Sequence, residues 1–202
     1  MNKYDRLFEL IRKEEVVLFV GAGFSIKAGY PSGNALSQLI YSQLTDSEKA
    51  NISQSLSLVD LTEEFVQLRG NSRNSLISIL KLIYGKSPVD LSDHEKIKSI
   101  PHFKNIITTN YDATFENVYS DNCNLIFQDT HCSYIDRSKT SIFKIHGDLS
   151  APDSIVVTKS DYRHLYSTGN NTVLWTKIKD YWPQTLFCLL AIVLKMIILY
   201  LS

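Results

Sequence analysis

Five consecutive apolar residues, Val16-Val17-Leu18-Phe19-Val20, are cut off abruptly by Gly21-Ala22-Gly23-Phe24-Ser25. A strand without polar alternation has no face to give to water, so it is buried on both sides, as the strands of a parallel sheet are. Strand character recurs at Asn105-Ile106-Ile107-Thr108-Thr109 and at residues 124–127, 141–145 and 155–157. Helical spacing fills the intervals: Leu7, Leu10 and Ile11 mark a helix over about 4–14, and Leu36, Leu39, Ile40 and Leu44 one over about 32–44. A further helix is predicted over 113–119. Residues from about 45 to 100 carry amphipathic segments at 58–68, 76–84 and 93–99, separated by turn residues, and read as a helical insertion. Strands interleaved with helices predict an α/β fold, a mostly parallel sheet with helices on both faces.

Composition narrows the function classes. The chain has 202 residues, enough for one domain with a real core. Its 21 Lys+Arg balance 21 Asp+Glu, so no excess of basic charge is left to neutralise phosphates, and no nucleic-acid partner is predicted. Cys123, Cys132 and Cys188 are too widely spaced for a zinc site, even with His131 beside Cys132, and no metal is predicted. Free thiols and a charged N-terminal segment without a signal-peptide core predict a reduced, cytoplasmic protein.

Three strand ends carry unusual polar residues, where open α/β sheets bind their ligands. After the first strand, Gly21, Ala22, Gly23 and Ser25 let backbone N–H groups approach a phosphate, and a helix N-terminus is expected to follow. A tight turn without a ligand fits the same residues. After the second, Asn110 and Asp112 follow Thr109; capping the next helix accounts for one of them but not for both. After the third, Ile145-His146-Gly147-Asp148 places an imidazole at the sheet edge, with an ordinary pKa suited to proton transfer near neutrality.

Together these segments resemble the sirtuin family, over roughly residues 15–165, and within it the bacterial sirtuin-like NAD hydrolases of antiphage defence systems. Gly21–Ser25, continued by Ala28-Gly29-Tyr30-Pro31, is similar to the sirtuin NAD-binding loop; Thr109–Asp112 is similar to the ribose and nicotinamide segment; Ile145-His146-Gly147 is similar to the catalytic-histidine segment. Val157-Thr158-Lys159-Ser160-Asp161-Tyr162 is similar to a further stretch of the bacterial members. The resemblance implies a Rossmann-like domain over residues 1–181 with NAD as substrate and no metal. Gly21, Ala22, Gly23 and Ser25 would hold the phosphates, Asp112 the carboxamide and Asn110 the ribose or the attacking water, with His146 as general base. A homo-oligomer or a defence-system partner is implied too. The four-cysteine zinc module of deacetylating sirtuins is missing, and Ser32-Gly33-Asn34 stands where deacetylases carry Asp-Phe-Arg, so acyl-lysine chemistry is disfavoured. The competing functions are a non-catalytic sensor of NAD or a derivative, and a tail-anchored interaction protein.

Residues 182–202 read differently. From Thr185 to Leu201 the chain is apolar apart from Lys195, at the lower limit of length for a membrane span. Two readings fit, a tail through which the protein would associate with membranes, or sequence translated out of frame. Read from the third base of the Trp182 codon, the shifted frame forces Ala, Leu and Asp and permits Gly-Tyr-Ser-x-x-Asp-x-Asn, similar to the continuation in the bacterial family. The reading adopted is a frame change near residue 181, which predicts that the last sheet strand is missing.

Overall fold

In the computed structural model, residues 5–168, 172–181 and 186–189 are described. The chain opens with helix α1 (Asp5–Arg12) and strand β1 (Val16–Val20). Four helices follow: α2 (Gly33–Ser42), α3 (Asp46–Lys49), α4 (Leu58–Gln67) and α5 (Asn74–Tyr84). Then come α6 (Ser92–Lys98), β2 (Asn105–Thr108), α7 (Thr114–Tyr119), β3 (Cys123–Ile126) and β4 (Thr140–Lys144). Helices α8 (Lys159–Thr168) and α9 (Val173–Tyr181) and strand β5 (Leu186–Leu189) complete the described chain. The five strands lie in the order β3-β4-β2-β1-β5, all pairs parallel, which is the predicted α/β architecture.

Side-chain alternation along β1 divides the core. Val16, Leu18 and Val20 pack with Phe8 and Ile11 of α1, Ile97 of α6 and Phe115 of α7 on one face. Val17 packs on the other face with Ile107, Phe143 and two residues of α9, Leu174 and Ile178. Both faces are therefore covered, the physical reason that the strands read as continuous apolar runs. A third cluster joins α2, α4 and α5 through Leu36, Ile40, Leu61, Phe65, Leu76 and Leu80. Local signals start these helices: the Ser32 and Ser57 hydroxyls accept from Ala35 N–H and Asp60 N–H, and Thr45 with Glu48 forms a capping box.

Three expectations change. Residues 155–157 are not a strand. Ile155 and Val157 are buried in the third cluster, which explains the apolar alternation, but their backbone bonds go elsewhere than to a ladder. The Arg73 guanidinium donates to Ile155 O, Thr62 Oγ1 donates to Val157 O, and Val157 N–H donates to the Asp161 carboxylate. Directly after the glycines comes a single 3₁₀ turn, Ala22–Ser25, rather than a helix N-terminus; the helix predicted over about 32–44 is α2, from Gly33. Gly29, at φ +94, turns the chain between them. A fifth strand is also present where the frame-change reading expected none: Leu186–Leu189 pairs with Val16–Phe19. The short apolar run at 186–189 can satisfy its backbone at the open edge of β1 whatever its origin. The rest of the apolar tail, 190–202, and residues 182–185 lie outside the described residues.

Thr62 is fully buried and its hydroxyl is the link from α4 to the coil at 155–157, at 2.9 Å from Val157 O. Thr62→Val keeps the shape and removes the donor, so the chain should lose about 1–3 kcal/mol of stability in urea unfolding.

Candidate active site

The parallel register brings the three polar strand ends to one level. Val20 pairs with Thr108 and Thr108 with Lys144, and two further bonds extend the ladder, Thr109 N–H to Val20 O and Ile145 N–H to Thr108 O. The chain therefore leaves the sheet at Gly21, Thr109 and Ile145 side by side. A cavity of about 160 Å³ lies there, lined among others by Ala22, Ser25, Asn110, Asp112, His146 and Tyr84. The structure thus brings the sequence-predicted residues Ala22, Ser25, Asn110, Asp112 and His146 together.

Asn110 is 7% exposed, and its Nδ2 donates to Gly21 O at 3.2 Å and to Ser25 Oγ at 3.0 Å. Its Oδ1 is buried without any partner. An unpaired buried acceptor is uncommon and costly, and this one belongs to a residue of the cavity wall. Ser25 is 1% exposed, so its hydroxyl serves Asn110 rather than open solvent. Asp112 Oδ1 accepts from both Thr114 N–H, at 3.2 Å, and Thr114 Oγ1, at 2.5 Å, at the start of α7. The cap of α7 is Ala113, without a side-chain bond, so the capping foreseen is replaced by an Asx turn just before the helix that uses one carboxylate oxygen of Asp112.

Gly21 and Gly23 do not line the cavity, yet neither is needed for backbone shape. Gly21 has φ −116, and a Cβ added there would meet only Thr109 Oγ1, at 3.7 Å. A Cβ on Gly23 would meet nothing within 4 Å. The room that glycine leaves at these positions is room for something that approaches the backbone closely.

The His146 ring stands edge-on to Tyr162, centroids 5.3 Å apart, with Nε2 3.4 Å from the Tyr162 hydroxyl. Burial pushes the imidazole down to about 4, against the opposing pull of a hydrogen bond to the Thr109 backbone. At neutral pH the ring is therefore uncharged, and the Thr109 bond selects the nitrogen that keeps its proton. The basicity near neutrality foreseen from the residue type is lowered, because the half-buried ring is partly withdrawn from water with no carboxylate to offset that loss.

Several contributors escaped the sequence reading. Tyr84 reaches the cavity from α5, stacking with Tyr30 at 5.7 Å and meeting Tyr111 edge-on at 5.6 Å. The Tyr30 and Tyr111 hydroxyls are tied to Lys86 O and Val156 O, so these rings form a fixed wall. Asp161 accepts from Val157 and Thr158 N–H and pairs with Arg73, which fixes the start of α8 and hence Tyr162 against His146. His94, 1% exposed with neither ring nitrogen partnered, meets the rings of Phe24 and Phe115 edge-on. Lys144, within an otherwise uncharged strand, is 1% exposed. The signal for Tyr84 was its place on the apolar face of its helix; for Lys144 it was a charge inside a strand. Among the described residues no three His, Cys, Asp or Glu side chains gather as metal ligands. No helix among them is long and apolar enough to cross a membrane. A larger cavity of about 470 Å³ lies beyond Ile145 and Gly147, but none of the predicted site residues lines it.

With this geometry in place, residues 104–189 match the SIR2-like domain family. The span takes in the Asn110 and His146 segments and ends with β5. That stretch is similar to a sirtuin-like domain. Over 162 residues it is 26% identical to the NAD(+) hydrolase ThsA of Acinetobacter baumannii, covering 78% of this chain and 32% of that protein. It is 29% identical to NAD(+) hydrolase ThsA of Enterococcus faecium over 162 residues, covering 78% and 33%. For NAD(+) hydrolase ThsA of Bacillus cereus the identity is 26% over 157 residues, covering 75% and 32%. The chain thus spans about a third of the length of these relatives.

The depressed pKa of His146 has a consequence for stability. The unfolded imidazole takes up a proton near its ordinary 6.5, whereas the folded one resists until about 4. Its contribution is complete above pH 6.5 and is lost as pH falls through 4, in total about 3 kcal/mol at 1.36 per unit. Burial lowers His94 too and adds loss of the same sign. Urea midpoints at pH 7 and pH 4.5 should fall further for the natural sequence than for His146→Gln.

Proposed function

We propose that this domain binds NAD and hydrolyses it to nicotinamide and ADP-ribose. The observation that carries the reading is the buried, unpaired Oδ1 of Asn110 on the wall of the cavity shared with His146. It needs a donor, and a ribose hydroxyl, a carboxamide N–H or an attacking water each supplies one. At about 160 Å³ the cavity is smaller than the ~300 Å³ at which sites for whole drug-sized ligands begin. It suits one ring-sized end of a dinucleotide, with the remainder running out over Gly21–Ser25, where the space beside Gly23 is open. The relatives named NAD(+) hydrolase support the same substrate.

In this reading the nicotinamide end lies against the wall made by the rings of Tyr84 and Tyr111, and the second oxygen of Asp112 accepts from the carboxamide. Backbone N–H groups of the Gly21–Ser25 turn hold the pyrophosphate. As the bond from C1′ to the ring nitrogen breaks, nicotinamide leaves with the electron pair and positive charge develops on the ribose. A water held by Asn110 Oδ1 adds to C1′, and its proton passes to the unprotonated nitrogen of His146 in place of the long 3.4 Å contact with Tyr162, and on to solvent. A weak base suffices when the water attacks an already cationic carbon, because the water becomes acidic as its bond forms. The proposed setting is cytoplasmic antiphage defence, with a second copy or a defence-system protein as partner. Residues 182–202 are proposed as out-of-frame sequence beyond a domain of residues 1–181; the family match, which runs on to residue 189, bears against a break that early.

The second reading is a nucleotide sensor that binds without hydrolysis, and the low basicity of His146 favours it. Nicotinamide release and NAD binding, measured together, separate the two. The natural sequence should release nicotinamide. His146→Ala and Asn110→Ala should each lower turnover by about 10²–10⁴-fold while their circular dichroism stays unchanged. Binding without release assigns the sensor.

A further inference from the structure

Lys144 stands on β4 in register with Thr108. It precedes His146 by two residues, as Thr108 precedes Asn110. Its ammonium lies 3.3 Å from Tyr111 O and 3.0 Å from Asp112 O, the carbonyls that leave β2 for α7. It also lies 2.8 Å from Glu116 Oε1 and 2.5 Å from Asp148 Oδ2. Glu116 belongs to the helix that follows Asp112, and Asp148 to the turn that follows His146.

Strand packing alone does not call for a charge here. Ile142 and Phe143 beside it are fully buried, and a buried ion pair is often replaced by apolar residues without loss of stability. An apolar side chain cannot, however, bind two carbonyls of an irregular segment. Neither carbonyl belongs to a strand ladder. Each would otherwise face the core without a donor.

We infer that Lys144 is a positioning residue for the active site: its ammonium ties the Asn110–Asp112 segment to the turn after His146 and so fixes the separation of Asn110 from His146. The inference rests on the NAD-hydrolase reading for its kinetic consequence but not for its geometry. The attachment on the His146 side is closed by further bonds. Asp148 Oδ1 accepts from Ser150 N–H and Ser150 Oγ, and Asp148 N–H donates to Ser154 Oγ. Gly147, at φ +81, completes this turn; a Cβ there would collide with Ser154 O at 2.1 Å. Movement of Asp148 would therefore carry His146 with it. The charges are arranged to keep the ammonium in place. Burial opposes its charge, but Glu116 and Asp148 outweigh that and raise its pKa. Asp148 is held low by Lys144 against its own burial, while burial raises Glu116 despite the same ammonium.

The test is Lys144→Met, which keeps length and removes charge, alongside the balanced triple variant Lys144→Met/Glu116→Gln/Asp148→Asn. Two readings are taken on the 202-residue chain. One is the titration of His146 by NMR of labelled imidazole; the other is nicotinamide release against NAD concentration. The midpoint of His146 should rise from about 4 towards 6.5 as the ring gains water. Turnover should fall about 10²-fold, with KM changed by no more than about twofold. A folded variant with unchanged titration and unchanged kcat overturns the inference. Failure of both variants to fold overturns it too, since it assigns Lys144 to stability. If the natural sequence releases no nicotinamide, the hydrolase reading fails, and the His146 titration still decides whether Lys144 positions the ring.

Discussion

The in-register parallel pairing of β1, β2 and β4 is the constraint on which the site depends. Backbone bonds fix Val20, Thr108 and Lys144 in one row, so the residues that follow leave the sheet together. The register is itself held by burial on both faces. A slip of one residue would exchange Val16, Leu18 and Val20, which meet α1, α6 and α7, with Val17, which meets α9. Neither set of partners is shaped for the other. Core packing thus decides the level at which Gly21, Asn110 and His146 emerge.

Regular pairing alone does not close the pocket. Further wall comes from α5, through Tyr84, and from Tyr111, whose hydroxyl is held by Val156 O of the coil at 155–157 at 2.6 Å. That coil has lost the ladder that apolar alternation would suit it for. Side chains from a distant part of the chain replace the missing bonds: Arg73 and Thr62, with Asp161 serving both the coil and α8. Helix α4 and helix α5 with its cap therefore act on the site through polar contacts as well as through bulk. Thr62, Arg73 and Tyr84 are the points where they do so.

Much of this could be read before any coordinates. The strands β1, β2 and β4 follow from apolar runs too short for helices, and the site residues from polar groups placed where such runs stop. What could not be read depends on pairs far apart in sequence. Residues 155–157 carry a strand's alternation because they are buried on one side, and nothing local records that Arg73 and Thr62 satisfy their carbonyls. Lys144 reads as a surface charge until Glu116, Asp148 and two carbonyls are seen around it. His146 reads as a base near neutrality because its residue type supplies an ordinary pKa, whereas its burial is a property of the assembled pocket. Tyr84 is indistinguishable from its apolar neighbours on α5 until the helix docks.

The free protein leaves several groups unsatisfied, and they point the same way. Asn110 keeps a buried acceptor unpaired, at a cost of about 1–3 kcal/mol. Gly23 leaves space that a side chain could have filled, and His146 gives up its affinity for a proton to stand in the wall. Stability alone would favour other arrangements: a donor within the chain for Asn110 Oδ1, a residue with a side chain for Gly23, a solvated or paired ring for His146. Their convergence on one row of strand ends is economical only if a ligand supplies what is missing. That ligand must donate a hydrogen bond at Asn110, lie close against the backbone at Gly23, and present at least one ring-sized end to the pocket between Tyr84 and His146. The dinucleotide proposed here would meet these conditions with its ring in the pocket, its ribose at Asn110 and its pyrophosphate against the Gly21–Ser25 backbone.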